Sequence, residues 1–196
     1  MEHMDGLEVS DCPYCPALVD SRSRIVNGTG PADADLLFVG EAPGAQEDKQ
    51  GEPFVGRSGS LLDDRLRDVG LARADVRITN CVRCRPPENR DPTGEELANC
   101  RGYLERELEL VDPDVVVTLG KVPSEHLLGR SVAVTSEAGA VEEVELGGTQ
   151  RLVLICIHPA ATLYDRSQED TFARTIEKAA ELAGTAAGGQ SRLGEY

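Results

Sequence analysis

The chain predicts an α/β fold in which a parallel sheet is covered on both faces. Three observations carry that expectation. Short apolar runs of strand length recur along the sequence, bounded by turn residues. Amphipathic helical stretches separate them, and such alternation is the mark of β-α-β units. The segments richest in glycine, proline and charge follow the ends of those runs, where sheets of this kind receive ligands.

Each element has its own reason. Asp35–Gly40, reading DLLFVG, is a short apolar run closed by glycine and predicts a central strand. The next stretch spaces Leu61, Leu62, Leu66 and Val69 along one helical face, with Ser58 as the expected N-cap. Val76–Val82 predicts the second strand. Thr93 and Glu96 then form an S/T-x-x-E capping box that opens a long helix. Asp114–Gly120 predicts a third strand and Lys121–Leu128 a helix after it. Ser131–Gly147 has period-two patterning and is expected as a peripheral hairpin. Arg151–Pro159 predicts a fourth strand, and an amphipathic helix closes the domain, expected over 1–183. Residues 184–196 read as a disordered tail.

The 196 residues carry a formal charge of −15, which on its face disfavours a nucleic-acid partner. That acidity is diffuse, however, and lysine is confined to Lys49, Lys121 and Lys178 while arginine is common. The pattern fits a salt-adapted cytoplasm, where self-repulsion is screened. Global charge therefore leaves DNA open as a partner. No apolar run approaches membrane-span length, and the acidic N-terminus has no apolar signal region, so a cytoplasmic protein is expected.

Six cysteines in such a compartment point to metal or redox work rather than disulfides. Cys156, inside LVLICI, reads as core. Cys12-Pro-Tyr-Cys15 and Cys81-Val-Arg-Cys84 are two C-x-x-C pairs, a spacing that slightly favours tetrahedral zinc. A rival set exchanges Cys81 for Cys100, and four thiolates hold a [4Fe–4S] cluster equally well. Residues alone leave both sets open.

GEAPGAQEDKQGEPFVGRSGSLLD, TNCVRCRPPENRDPTGEEL followed by Cys100, and HPAA stand in this order behind an N-terminal C-x-x-C. Together they resemble the family 4, iron–sulfur uracil-DNA glycosylases, from Cys12 to about Ile176. The resemblance implies a three-layer α/β/α sandwich around a four-stranded parallel sheet. It also implies a [4Fe–4S] cluster on Cys12, Cys15, Cys84 and Cys100, and removal of uracil from DNA.

An enzyme of that kind must flip its nucleotide out of the stack, hold the base and stabilise the departing anion. On this resemblance Phe54 is expected to stack on uracil, with core anchoring as its alternative. Asn80 is expected to pair with O4 and N3–H, because one amide both donates and accepts. His158 is expected to donate to O2 as charge develops there. The backbone at Gly40, Glu41 and Ala42 is expected to help grip the base. Ala42 stands where the family 1 enzymes carry an aspartate, so Glu41 and Glu47 are the candidate bases for a largely dissociative cleavage. Arg57, Ser58, Arg83, Arg85 and Arg90 are the candidate phosphate contacts. Leu163 or Tyr164 is the candidate wedge for the vacated stack. The expected partner is uracil-containing DNA, bound by a monomer without a membrane. A zinc-ribbon-like nucleic-acid module, or a metabolic α/β enzyme, are the other readings.

Overall fold

The computed structural model describes residues 2–184, so the tail expected from 184 lies, but for Gly184, outside the described residues. A small hairpin comes first, β1 (Met4–Asp5) against β2 (Glu8–Val9). Helix α1 (Pro16–Ser21) follows, with proline in its first turn where the missing N–H costs nothing.

The sheet is built from β3 (Leu36–Gly40), β4 (Arg77–Asn80), β5 (Val115–Leu119), β6 (Val141–Leu146) and β7 (Thr149–Cys156). Its order is β4-β3-β5-β7-β6, with every pairing parallel except β6 against β7. This corrects the four-stranded parallel sheet to a five-stranded mixed one. The extra strand comes from the segment expected as a separate hairpin. Its second arm is β7 itself, reached through Gly147 and Gly148, both at positive φ. The start of that segment forms a short helix, α6 (Val134–Glu137).

Alternation along the strands sorts side chains into two cores. Leu36 and Phe38 meet Leu62 and Leu66 of α3 (Arg57–Asp68) and Phe172 and Ile176 of α8 (Glu169–Leu182). Leu37 and Val39 turn the other way, onto Leu104 and Leu108 of α4 (Gly94–Val111) and Leu127 of α5 (Lys121–Leu128). Helices on both faces make the three layers, and each fully buried leucine contributes about 1.5–3 kcal/mol. Cys156 lies in the first core, as its apolar context predicts.

The capping box at α4 forms as expected: Glu96 N–H donates to Thr93 Oγ1 at 3.2 Å, and Thr93 N–H to Glu96 Oε2 at 2.8 Å. The cap of α3 differs. Gly56 is the N-cap and Ser58 already lies inside the helix. The preceding loop is held by another group, a carboxylate across the chain.

Candidate active site

Parallel pairing sets Gly40 beside Asn80 at the carboxyl ends of β3 and β4. The order β4-β3-β5 reverses direction at β3, and ligand crevices open at such switch points. A cleft of about 320 Å³ lies there, lined by Glu41, Ala42, Phe54, Asn80 and His158, with Gly44, Glu47, Ser58 and Asn89 completing the wall. The three side chains expected to read the base are therefore brought to one cavity.

Phe54 is 7% exposed and belongs to the first core as well as to the cleft. Its ring centroid is 5.9 Å from that of His158. A Cβ on Gly40 would come within 2.4 Å of both Phe54 Cε2 and Asn80 Oδ1, so only glycine lets the ring and the amide stand together. Asn80 is buried. Ala160 N–H donates to His158 Nδ1 at 3.1 Å, which makes Nδ1 the acceptor and leaves the proton on Nε2. Burial pushes His158 below its ordinary value against the opposing pull of Glu47, so the imidazole is neutral at pH 7.

The long loop between β3 and α3 is ordered by Glu47. Its carboxylate accepts from Gly44 N–H at 3.1 Å, Val55 N–H at 3.1 Å and Gly56 N–H at 3.2 Å. Both oxygens serve the backbone, so Glu47, one of the two candidate bases, also braces the loop beside the cleft it lines. Asp48, in the short helix α2 (Ala45–Gln50), ties the same loop to Ser23 N–H at 2.8 Å.

Glu41 is pushed up to about 7, first by burial and then by the adjacent Asp91. The folded chain thus keeps a proton there that the unfolded chain releases near 4.5. Folded protons exceed unfolded ones across that window, so this group's contribution to stability falls as pH rises from about 4.5 through 7. Glu41→Gln is expected to flatten that part of the curve, measured by urea unfolding of variant and parent at several pH values. An unchanged slope would mean that Glu41 is ionised throughout.

The expected phosphate contacts divide. Arg57 is exposed at the start of α3, beside Ser58. Arg85 is half-buried, and its Nε donates to Asn89 Oδ1 at 2.8 Å. Arg83 is a correction. It is 2% exposed, with Nη2 donating to Glu107 at 2.7 Å and Nη1 to Asn27 at 2.8 Å, so it braces the interior and reaches no phosphate. Arg90 is likewise committed, gripping both oxygens of Glu96 at 2.7 and 2.8 Å. Beyond His158, α7 (Ala161–Tyr164) presents Leu163 and Tyr164 to solvent, the tyrosine 91% exposed.

Cys12, Cys84 and Cys100 are buried in one cluster with Tyr103, and Cys15 packs against it. Cys81 is absent from that group and lies in the second core, which removes the zinc set built on two C-x-x-C pairs. A single zinc at about 2.3 Å from each sulfur needs tightly gathered thiolates. Among the described residues no three metal-ligating side chains are placed to hold a metal ion of any kind. The donor set fits thiolate ligation: Arg22 Nη1 donates to Cys84 Sγ at 3.0 Å and Asn99 Nδ2 to Cys15 Sγ at 3.5 Å. The buried Tyr103 hydroxyl lies against Cys12 in the same cysteine cluster, and burial first, then Cys12, pushes it up.

Sequence reasoning missed Asn89, Arg22, Asn99 and Asp91. Asn89 carried a signal, since asparagine tolerates the positive φ of 54° it adopts. The other three are ordinary surface letters until the fold brings them in.

Comparison with known proteins agrees with this geometry. Residues 27–180 match the model of the uracil DNA glycosylase superfamily. A type-4 uracil-DNA glycosylase of Archaeoglobus fulgidus is 40% identical over 190 residues, covering 94% of this chain and 95% of its own. The type-4 uracil-DNA glycosylase of Thermotoga maritima is 43% identical over 82% of each chain. That of Sulfurisphaera tokodaii is 37% identical, covering 92% of this chain and 86% of its own.

Proposed function

The chain belongs to the uracil-DNA glycosylase superfamily, and on that premise we propose that it excises uracil from DNA as a type-4 enzyme, leaving an abasic site for base-excision repair. The observation that carries the reading is the convergence of Phe54, Asn80 and His158 on one cleft at the switch point of the sheet.

In this reading the flipped base stacks on Phe54 and offers its O4 and N3–H edge to the Asn80 amide. The backbone of Gly40, Glu41 and Ala42 closes over it. As the N-glycosidic bond lengthens, charge collects on O2, and the Nε2 proton of a neutral His158 stabilises it without being transferred. A Glu41 pushed up to about 7 is about half protonated at neutrality, which lessens the negative charge beside the departing base. Arg57, Arg85 and the free N–H groups at the start of α3, Ser58 included, hold the backbone phosphates. Leu163 and Tyr164 fill the gap in the stack; their exposure supports this role.

Cys12, Cys15, Cys84 and Cys100 hold a [4Fe–4S] cluster in the same proposal. When bound, the cluster supplies a cross-link between the N-terminal loop, the loop after β4 and α4. Residues 1–183 act as one domain and, in this proposal, as a cytoplasmic monomer. No helix among the described residues is long and apolar enough to cross a membrane.

The test is strand breakage by alkali after incubation of the purified protein with a uracil-containing oligonucleotide at high salt. Breakage at the uracil, at least about a hundredfold slower in His158→Ala, is the expected result. Intact strands from a protein that carries iron and sulfide would overturn the activity while leaving the cluster assignment standing.

A further inference from the structure

Phe54 has φ of 55°, in the left-handed region that a side chain as bulky as phenylalanine seldom enters. The direction of its Cα–Cβ bond, and so the seat of its ring in the cleft, depends on that conformation. Something outside the cleft must hold it. The carbonyl of Phe54 is turned onto α3, so close that a Cβ on Gly59 would lie 1.6 Å from it. In that position it meets the guanidinium of Arg73.

Arg73 begins a single 3-10 turn, Arg73–Asp75, between α3 and β4. Asp75 caps the turn by accepting from Ala72 N–H at 2.7 Å. From there Arg73 Nη1 and Nη2 donate to Pro53 O at 3.2 and 3.1 Å, and Nη2 donates also to Phe54 O. Its Nε faces Asp63 Oδ1 at 3.3 Å, an ion pair that orients the fork from α3. Two successive carbonyls and a carboxylate are thus spanned by one planar group. A lysine ammonium, a point charge on a flexible stem, cannot reproduce that geometry.

We propose that Arg73 is a positioning residue for base stacking: by clamping the carbonyls of Pro53 and Phe54 it holds the Phe54 backbone left-handed and keeps the ring in the cleft. The inference rests on the reading of Phe54 as the stacking residue given above. Released from the clamp, the peptide relaxes toward ordinary φ, and the ring swings away from Gly40 and His158. Arg73 itself does not line the cleft.

The test compares Arg73→Ala, Arg73→Lys and Phe54→Ala in three readouts: single-turnover uracil excision, inhibition by free uracil, and affinity for an abasic duplex that carries no base. Misplacing a reacting group by about 1 Å costs on the order of a hundredfold. Arg73→Ala is expected to slow excision by at least tenfold and to weaken inhibition by uracil by a similar factor. Abasic-duplex affinity should stay within about twofold, because phosphate contacts are untouched. Arg73→Lys should resemble alanine, and millimolar methylguanidinium should restore part of the Arg73→Ala rate. The double variant with Phe54→Ala should be no worse than Phe54→Ala alone.

Wild-type uracil inhibition in both Arg73 variants, beside a weakened Phe54→Ala, would overturn the clamp and keep the stacking. Wild-type uracil inhibition in Phe54→Ala would overturn the stacking reading itself. Should Arg73→Ala fail to fold, Arg73→Lys carries the same comparison. Loss of abasic-duplex affinity in step with excision would assign Arg73 a merely structural role.

Discussion

Asn80→Ala is expected to lower kcat/KM for uracil excision by about 10²–10³, or about 3–4 kcal/mol of transition-state stabilisation. The physical reason is that the Asn80 side chain lines the cleft where the base is proposed to sit. It is buried, and its neighbour across the strand pair is a glycine that leaves it room. An amide on the cleft wall can donate to and accept from the edge of a bound base at once. Removing it deletes both halves of the donor–acceptor pair that tells uracil from cytosine, whose edge exchanges them. The loss should fall on the base and not on the duplex, so abasic-DNA affinity should hold. Single-turnover rates of parent and variant on one oligonucleotide decide it, and a variant within threefold of the parent would remove Asn80 from base recognition.

Glu107→Ala is expected to be the most destabilising substitution in the interior. Glu107 is fully buried on α4, where its carboxylate accepts from Arg77 Nε at 2.8 Å, Arg83 Nη2 at 2.7 Å and Thr79 Oγ1 at 2.8 Å. Arg77 and Arg83 are buried too, so alanine strands two cations away from water. Breaking a buried ion pair in this way costs about 3–5 kcal/mol. For a chain of this size that is a fall in Tm on the order of 10 °C. Glu107→Gln, which keeps one acceptor oxygen, should lose less. Salt should change the loss little, since these charges lie out of reach of screening ions. Urea unfolding of the variants measures it, and a loss under 1 kcal/mol would show that water or a rearranged arginine replaces the carboxylate.

The same network shows where sequence reading stops. Arg83 stands between Cys81 and Cys84 in a run of arginines, and by local context it is a surface cation for DNA. The fold turns it inward because α4 brings Glu107 within reach, 24 residues away. Arg90 pairs with Glu96 as well but stays at the surface, 37% exposed. Side chains with two possible partners, solvent or a distant carboxylate, cannot be assigned from neighbours in sequence. Ser58 failed differently: capping preference favours serine, but the N-cap went to Gly56, whose N–H is taken by Glu47. β6 was misassigned because period-two patterning reports a strand and not its partner.

Sequence alone determined the alternation of strands and helices, the capping box at Thr93 and Glu96, and the buried Cys156, while Phe54, Asn80 and His158 came from the family resemblance. These are readable because each rests on local periodicity or on a short motif with one stereochemical meaning. The tertiary structure decided that Cys12, Cys84 and Cys100 pack together apart from Cys81, and that Arg83 is turned inward while Arg57 stays exposed. Those outcomes depend on contacts between segments far apart in the chain, where burial converts an ordinary charge or carbonyl into a group that must find a partner. Arg73 and Gly59 are ordinary letters in sequence, and only the fold brings both to the Phe54 carbonyl.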